Sequence, residues 1–320
     1  MKLTVWFAIC IVFLILLGCD RLLDTLYPEP QLHADGEVQS LFTNGSPNVD
    51  VVFMGDGYTR RDLLVGGKYE SDLLEVAGHL FNAHPYNTYK QYFSAHIVYA
   101  ESNASGTDVG TDYDVIDTKF DTCLRCGVPE SKTATRDRDL AYEYADKAVS
   151  DPELVVLVIN IDETLGTGGG GFLTMTAGAG GDWKRRAIIH ETGHAFGRLG
   201  DEYINAGLAA LRDVASMPDY PNLDTTGDLG AVKWSHFFGL PKYEMVGAFE
   251  GGYYRAAGVW RPEKQSVMGP TSPPRVDRNT IPGWLYRYNA PSREAIVKKI
   301  MSAVGIPYSF HAFLENDLIE

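Results

Sequence analysis

The sequence predicts an α/β fold, a mixed sheet flanked by helices, followed by a less regular C-terminal part. Three observations predict it: short apolar runs alternate with helix-length segments in the first half, a histidine-bearing helical segment follows, and the chain from Ile204 to Pro291 is rich in Gly, Pro, Tyr and Trp with little periodicity. Val49 to Met54 reads as a buried strand, Arg60 to Phe81 as a helix, Phe93 to Glu101 as a strand, Arg136 to Val149 as a helix and Leu154 to Asn160 as a continuous apolar strand. Phe172 to Thr176 is expected to be the edge strand. The preceding Gly168 to Gly171 lacks the lysine and hydroxyl residue of a phosphate-binding loop and reads as a flexible connection at the rim of a cleft. Ser292 to Val304 reads as a closing helix capped by Ser292, with Glu294 near its start and Lys298 and Lys299 later.

The chain has 320 residues and a formal net charge of −14, which argues against nucleic acid as a partner and disfavours polyanionic glycans. No internal repeat or long low-complexity segment is visible. Lys2 precedes an almost wholly apolar stretch from Val5 to Leu17, and Leu16-Leu17-Gly18-Cys19 resembles the lipobox of bacterial lipoproteins. Cleavage after Gly18 would leave Cys19 as a lipidated first residue. An uncleaved anchor is the alternative, and both place the protein outside the cytoplasm on a membrane, the leaflet being left open. The expected organisation is a signal peptide over 1–18, a tether over 19–36 containing Pro28 and Pro30, an upper catalytic subdomain over 37–203 and a lower one over 204–320. Oligomeric state is not legible. Of the four cysteines, Cys10 and Cys19 fall in the N-terminal segment. Cys123 and Cys126 remain, and in an oxidising compartment their expected fate is a local disulfide, with free or redox-active thiols as the alternative.

The most informative stretch is His190-Glu191-Thr192-Gly193-His194, continued to Gly197, Gly200, Asp201, Glu202 and Tyr203. Residues four apart share a helix face, so His190 and His194 can converge on one ion while Glu191 stands beside it as a base, the pattern of a zinc hydrolase. The flanking Ala187, Ile188, Ile189, Ala195, Phe196 and Leu199 mark the helix as largely buried, with Asp182 as its expected N-cap. A buried pair of histidines and a glutamate need a partner. A catalytic zinc takes three protein ligands and keeps a position open. Asp201 is the leading candidate for the third and Glu202 the competing one. On an unbroken helix Asp201 would lie about 10 Å along the axis from His194, so the chain must turn, and Gly197 is expected to supply the left-handed residue with further freedom from Gly200.

This spacing resembles the metzincin pattern HExxHxxGxxH, except that Gly200 stands where the third histidine would. The segment Gln265-Ser266-Val267-Met268-Gly269-Pro270 supplies a methionine turn in outline, at Met268. Together with Val51 to Thr59, the Ser102 to Asp108 segment and the strand ending at Asn160, the chain is similar to the bacterial IgA Peptidase family of zinc metallopeptidases from about Asn48 to Met268. The resemblance implies a metzincin-like fold and hydrolysis of peptide bonds in a protein or peptide substrate. It further implies one catalytic zinc, with Glu191 taking a proton from water and passing it to the leaving amine. An edge strand beside such a site can bind substrate by strand addition. Tyr203, Tyr253, Tyr254 and Tyr286 are candidate oxyanion donors, each also explicable by packing. A non-catalytic zinc-containing surface lipoprotein and a zinc amidase acting on a cell-envelope amide remain as alternatives. Substrate preference is not legible, since loops build the specificity pocket.

Overall fold

The computed structural model describes residues 30–110, 115–126, 132–178, 180–269 and 283–318. Cys19 and the expected signal segment lie outside the described residues, as does most of the expected tether. In chain order the strands are β1 (Val38–Phe42), β2 (Val49–Asp56), β3 (Phe93–Val98), β4 (Asp108–Val109), β5 (Thr122–Leu124), β6 (Thr133–Thr135), β7 (Leu154–Ile159), β8 (Gly166–Gly169), β9 (Phe172–Thr176), β10 (Phe249–Gly252) and β11 (Arg255–Arg261). The helices are α1 (Lys68–Phe81), α2 (Arg138–Ala145), α3 (Gly181–Ala195), the short α4 (Ala206–Ala209), α5 (Ala290–Ala303) and α6 (Phe310–Asn316).

Six strands form the main sheet in the order β1-β3-β2-β7-β9-β8. The four inner strands run parallel, while β1 and β8 at the two edges run antiparallel to their neighbours. Both faces are covered, which is why β7 and the Val51 to Met54 run of β2 are continuously apolar instead of alternating. Val51, Phe53, Val156 and Val158 join Leu73, Val76 and Leu80 of α1, Ile188 and Ile189 of α3 and Ile296 and Ile300 of α5 in the larger core. Val52, Met54, Val155 and Leu157 point the other way, into a smaller core with Ala141, Tyr144 and Ala145 of α2.

Several elements depart from the sequence expectation for local reasons. The segment from Arg60 to Phe81 is not one helix: a 3-10 turn spans Arg60–Leu63, and α1 begins only after Gly66, whose φ of +72° no right-handed helix accommodates. The strand expected to reach Glu101 ends at Val98, and α2 is shorter than Arg136 to Val149, starting after Asp137, which caps the Leu140 N–H at 3.1 Å. Phe172–Thr176 is an inner strand. The edge is β8, so the first half of the glycine run, Gly168 and Gly169, is ordered strand, and Gly170 and Gly171, with φ of +61° and +76°, form the two-residue hairpin turn into β9. Helix α3 is capped at Gly180 and not at Asp182, which lies in its first turn. The closing helix starts earlier than expected because the cap is Asn289, whose side chain accepts from the Ser292 N–H at 3.0 Å.

A small sheet of β4, β5 and β6 packs beside β8 and β9, and Cys123 and Cys126 are joined by a disulfide at a Cα separation of 5.9 Å. The backbone N–H groups of Lys132 and Thr133 donate to Thr167 Oγ1, bracing the edge strand.

The end of α6 is fixed by charge at Asp317. Arg293 grips Asp317 with two bonds of 2.7 Å, and His84 and Tyr243 add further bonds to the same carboxylate at 2.8 and 2.9 Å. Burial alone would raise the Asp317 carboxyl, but Arg293 and His84 outweigh it and hold it well below the usual carboxylate range. A carboxyl lowered by folding contributes stability that is complete above its ordinary range and is lost as acid protonates it. Asp317→Asn leaves Arg293 buried without its counter-charge and is expected to cost about 3 kcal/mol at neutral pH. Urea denaturation checks this, and the difference from wild type should shrink as pH falls towards the folded-state pKa.

Candidate metal centre

Helix α3 carries His190 and His194 on one face, and both rings are fixed by backbone carbonyls. His190 Nδ1 lies 2.9 Å from Val267 O and His194 Nδ1 lies 2.7 Å from Leu199 O. A carbonyl only accepts, so each Nδ1 carries the hydrogen, and a neutral ring then presents its Nε2 lone pair. The two Nε2 atoms face each other at 3.1 Å. Asp201 Oδ1 completes a triangle, 3.2 Å from His190 Nε2 and 3.3 Å from His194 Nε2, and it makes no hydrogen bond although it is buried. Tetrahedral ligands with bonds of about 2.0 Å stand about 3.3 Å apart, so the triangle has the dimensions of one face of a zinc site.

The electrostatics agree with the geometry. Burial would raise Asp201, but the two histidines outweigh it and hold the carboxyl well below its usual range. His194 is pushed up to about 9: burial lowers it, and Asp201 raises it more. The three groups together favour a positive charge at their centre. Among the described residues, His190, Glu191 and His194 form the one cluster of such side chains within 4.8 Å of one another, and Asp201 joins the two histidines from the segment beyond the helix.

Adjacent residues point in opposite directions here. Glu202 turns away from the histidines and accepts hydrogen bonds from Ser266 Oγ at 2.6 Å, Asn222 Nδ2 at 2.8 Å and Asn289 Nδ2 at 2.5 Å. Burial pushes it up to about 7 despite these donors. Asn222 also bonds both the N–H and the carbonyl of Gly200 at 2.8 Å, so it fixes the turn that delivers Asp201. The turn itself differs from expectation. Its left-handed residue is Arg198, at φ 52°, and not Gly197. Gly197 serves close approach instead, since a Cβ there would lie 2.9 Å from Gly193 O and 3.0 Å from Ile296 Cγ1, and Gly200 likewise sits against Leu223 and Tyr220.

Met268 is fully buried beneath α3, where a Cβ on Gly193 would meet its Sδ at 2.8 Å. Its turn ties the centre together: Val267 O receives both His190 and Arg186, and Met268 O accepts the Glu202 N–H at 2.8 Å.

Glu191 is buried beside the triangle, and burial raises its carboxyl, with His190 and His194 opposing the shift. Strand β8 covers it. A Cβ on Gly166 would lie 2.6 Å from Glu191 Cγ, and one on Gly168 2.3 Å from Glu191 O, which explains the glycines at those two positions. Of the four tyrosines considered as oxyanion donors, Tyr254 gives its hydroxyl to Asp201 Oδ2 at 2.6 Å, and Tyr203 packs edge-on against the Tyr254 ring. Tyr286 lies under Arg185, and Tyr253 belongs to a small cluster with Leu223 and Val259. Sequence patterning marked neither Asn222, Ser266 and Asn289 as supports nor Val267 and Leu199 as carbonyl partners of the histidines. Backbone carbonyls leave no trace in residue identity, and an asparagine in an irregular segment carries no spacing signal.

A protein-family model described as IgA Peptidase M64 matches residues 40–242, a span that includes both histidines, Glu191 and Asp201 and ends before Met268. No curated protein matches the chain.

Proposed function

The chain belongs to the IgA Peptidase M64 family, and from that premise we propose that it is a zinc-dependent metalloendopeptidase acting on protein substrates outside the cytoplasm. Family membership makes it a peptidase and suggests a metal ion. The identity of the ion as zinc rests on one observation, the convergence of His190 Nε2, His194 Nε2 and Asp201 Oδ1 at the separations a tetrahedral ion needs. Two nitrogens and one carboxylate oxygen suit zinc better than calcium or magnesium, which take oxygen ligands. Zinc bound there supplies Lewis acidity to water and to the scissile carbonyl. The protein does the rest: Glu191 receives the proton from the attacking water and delivers it to the leaving amine, and its raised pKa suits both roles. The resemblance of Leu16-Leu17-Gly18-Cys19 to a lipobox supports placement on a membrane through a lipid anchor. No described helix is long and apolar enough to cross a membrane.

The test is digestion of a proteome-derived peptide library by the purified protein, with and without a chelator. Cleavage products that vanish on chelation are the expected result. Bound zinc with no cleavage would overturn the peptidase reading and move weight to a zinc-containing binding protein or an amidase of the cell envelope.

A further inference from the structure

Resting on the reading of Asp201 as the third metal ligand, we propose that Tyr254 is a positioning residue that selects which oxygen of Asp201 faces the metal. A buried aspartate has two equivalent oxygens and a torsion that exchanges them. Here they are made different. Oδ2 receives the Tyr254 hydroxyl at 2.6 Å, and Oδ1 is left without a hydrogen bond, 3.2 and 3.3 Å from the two histidine nitrogens. Each of the three converging groups then has its own protein partner: Val267 O for His190, Leu199 O for His194 and the Tyr254 hydroxyl for Asp201.

The backbone around Tyr254 gives a second, independent observation. Tyr253 and Tyr254 form the two-residue turn of the β10–β11 hairpin, with φ of 50° and 67°. Turns with two left-handed residues are normally built from asparagine, aspartate and glycine, and a pair of tyrosines there is strained. The strain is held by three bonds to the ligand segment. Tyr253 N donates to Asp201 O at 2.8 Å, Tyr254 N to Tyr203 O at 3.0 Å, and Asn205 N to Tyr254 O at 2.8 Å. The same turn therefore fixes the main chain of Asp201 and, through one hydroxyl, its side chain. Burial of both tyrosines keeps water from replacing that hydroxyl.

The experiment compares zinc affinity, by chelator competition, in the wild type, Tyr254→Phe and Asp201→Ala, with the d–d spectrum of the cobalt-substituted proteins and far-ultraviolet circular dichroism. Tyr254→Phe keeps the ring and the turn and removes only the hydroxyl. The expected result is a folded protein with zinc affinity reduced 10- to 100-fold, altered cobalt bands, and a fall in kcat larger than any change in KM at saturating zinc. A folded Tyr254→Phe protein with affinity within twofold of wild type and superimposable cobalt bands would overturn the inference. Asp201→Ala separates this failure from failure of the underlying reading: if its zinc affinity equals the wild type's, Asp201 is not a ligand at all, whereas loss in Asp201→Ala alone leaves the metal site standing and removes only the role of Tyr254.

Discussion

Glu191→Gln is expected to bind zinc as the wild type does and to hydrolyse peptides 10²- to 10⁴-fold more slowly, the usual contribution of a positioned general base. The substitution is nearly isosteric, so the close approach of Gly166 to the side chain and of Gly168 to its main chain remains, and the histidines keep their carbonyl partners. What is lost is a carboxylate able to take a proton in a site shielded from solvent. Burial raises its pKa, which brings proton affinity towards the neutral range where a base and an acid are both useful. Steady-state rates on a cleaved peptide, with zinc measured on the same sample, check this, and undiminished turnover would remove Glu191 from the chemistry.

The second large effect belongs to the Asp201 and Glu202 pair. Asp201→Ala removes one of three converging donors and should weaken zinc binding by more than the 10- to 100-fold that loss of an outer partner costs. Glu202→Ala should leave zinc affinity close to wild type and lower stability instead, because Ser266, Asn222 and Asn289 lose their common acceptor in a buried setting, at about 1–3 kcal/mol for each donor left unpaired. Calorimetric zinc titration and urea denaturation on both variants separate the two roles. Reversal of the pattern would exchange the assignments.

The parts of the fold that bury apolar runs on both sheet faces were legible from sequence: β2 and β7 stand where Val49 to Met54 and Leu154 to Asn160 predict them. The spacing of His190 and His194 likewise shows in the sequence, since a helix puts residues four apart on one face. Elsewhere, local identity was a poor guide because tertiary contacts decided. Strand β8 is nearly all glycine, which has little intrinsic preference for a strand. Its place at the sheet edge comes from the Gly170-Gly171 turn and from the bulk of Glu191 beneath it. The β10–β11 hairpin carries no turn signal because Tyr253-Tyr254 is not turn chemistry, and the left-handed residue after α3 is an arginine flanked by a glycine that is used for space. Asp201 and Glu202 are equivalent on paper. Their opposite orientations are set by Tyr254 on one side and by Asn222, Ser266 and Asn289 on the other, all far away in sequence.

The most direct measurement is titration of zinc into the chelator-stripped protein with peptide cleavage followed at each step. Cleavage should rise in proportion to zinc bound and level off at one ion per chain. Saturation at one ion per chain with no peptide hydrolysis at any point would contradict the account.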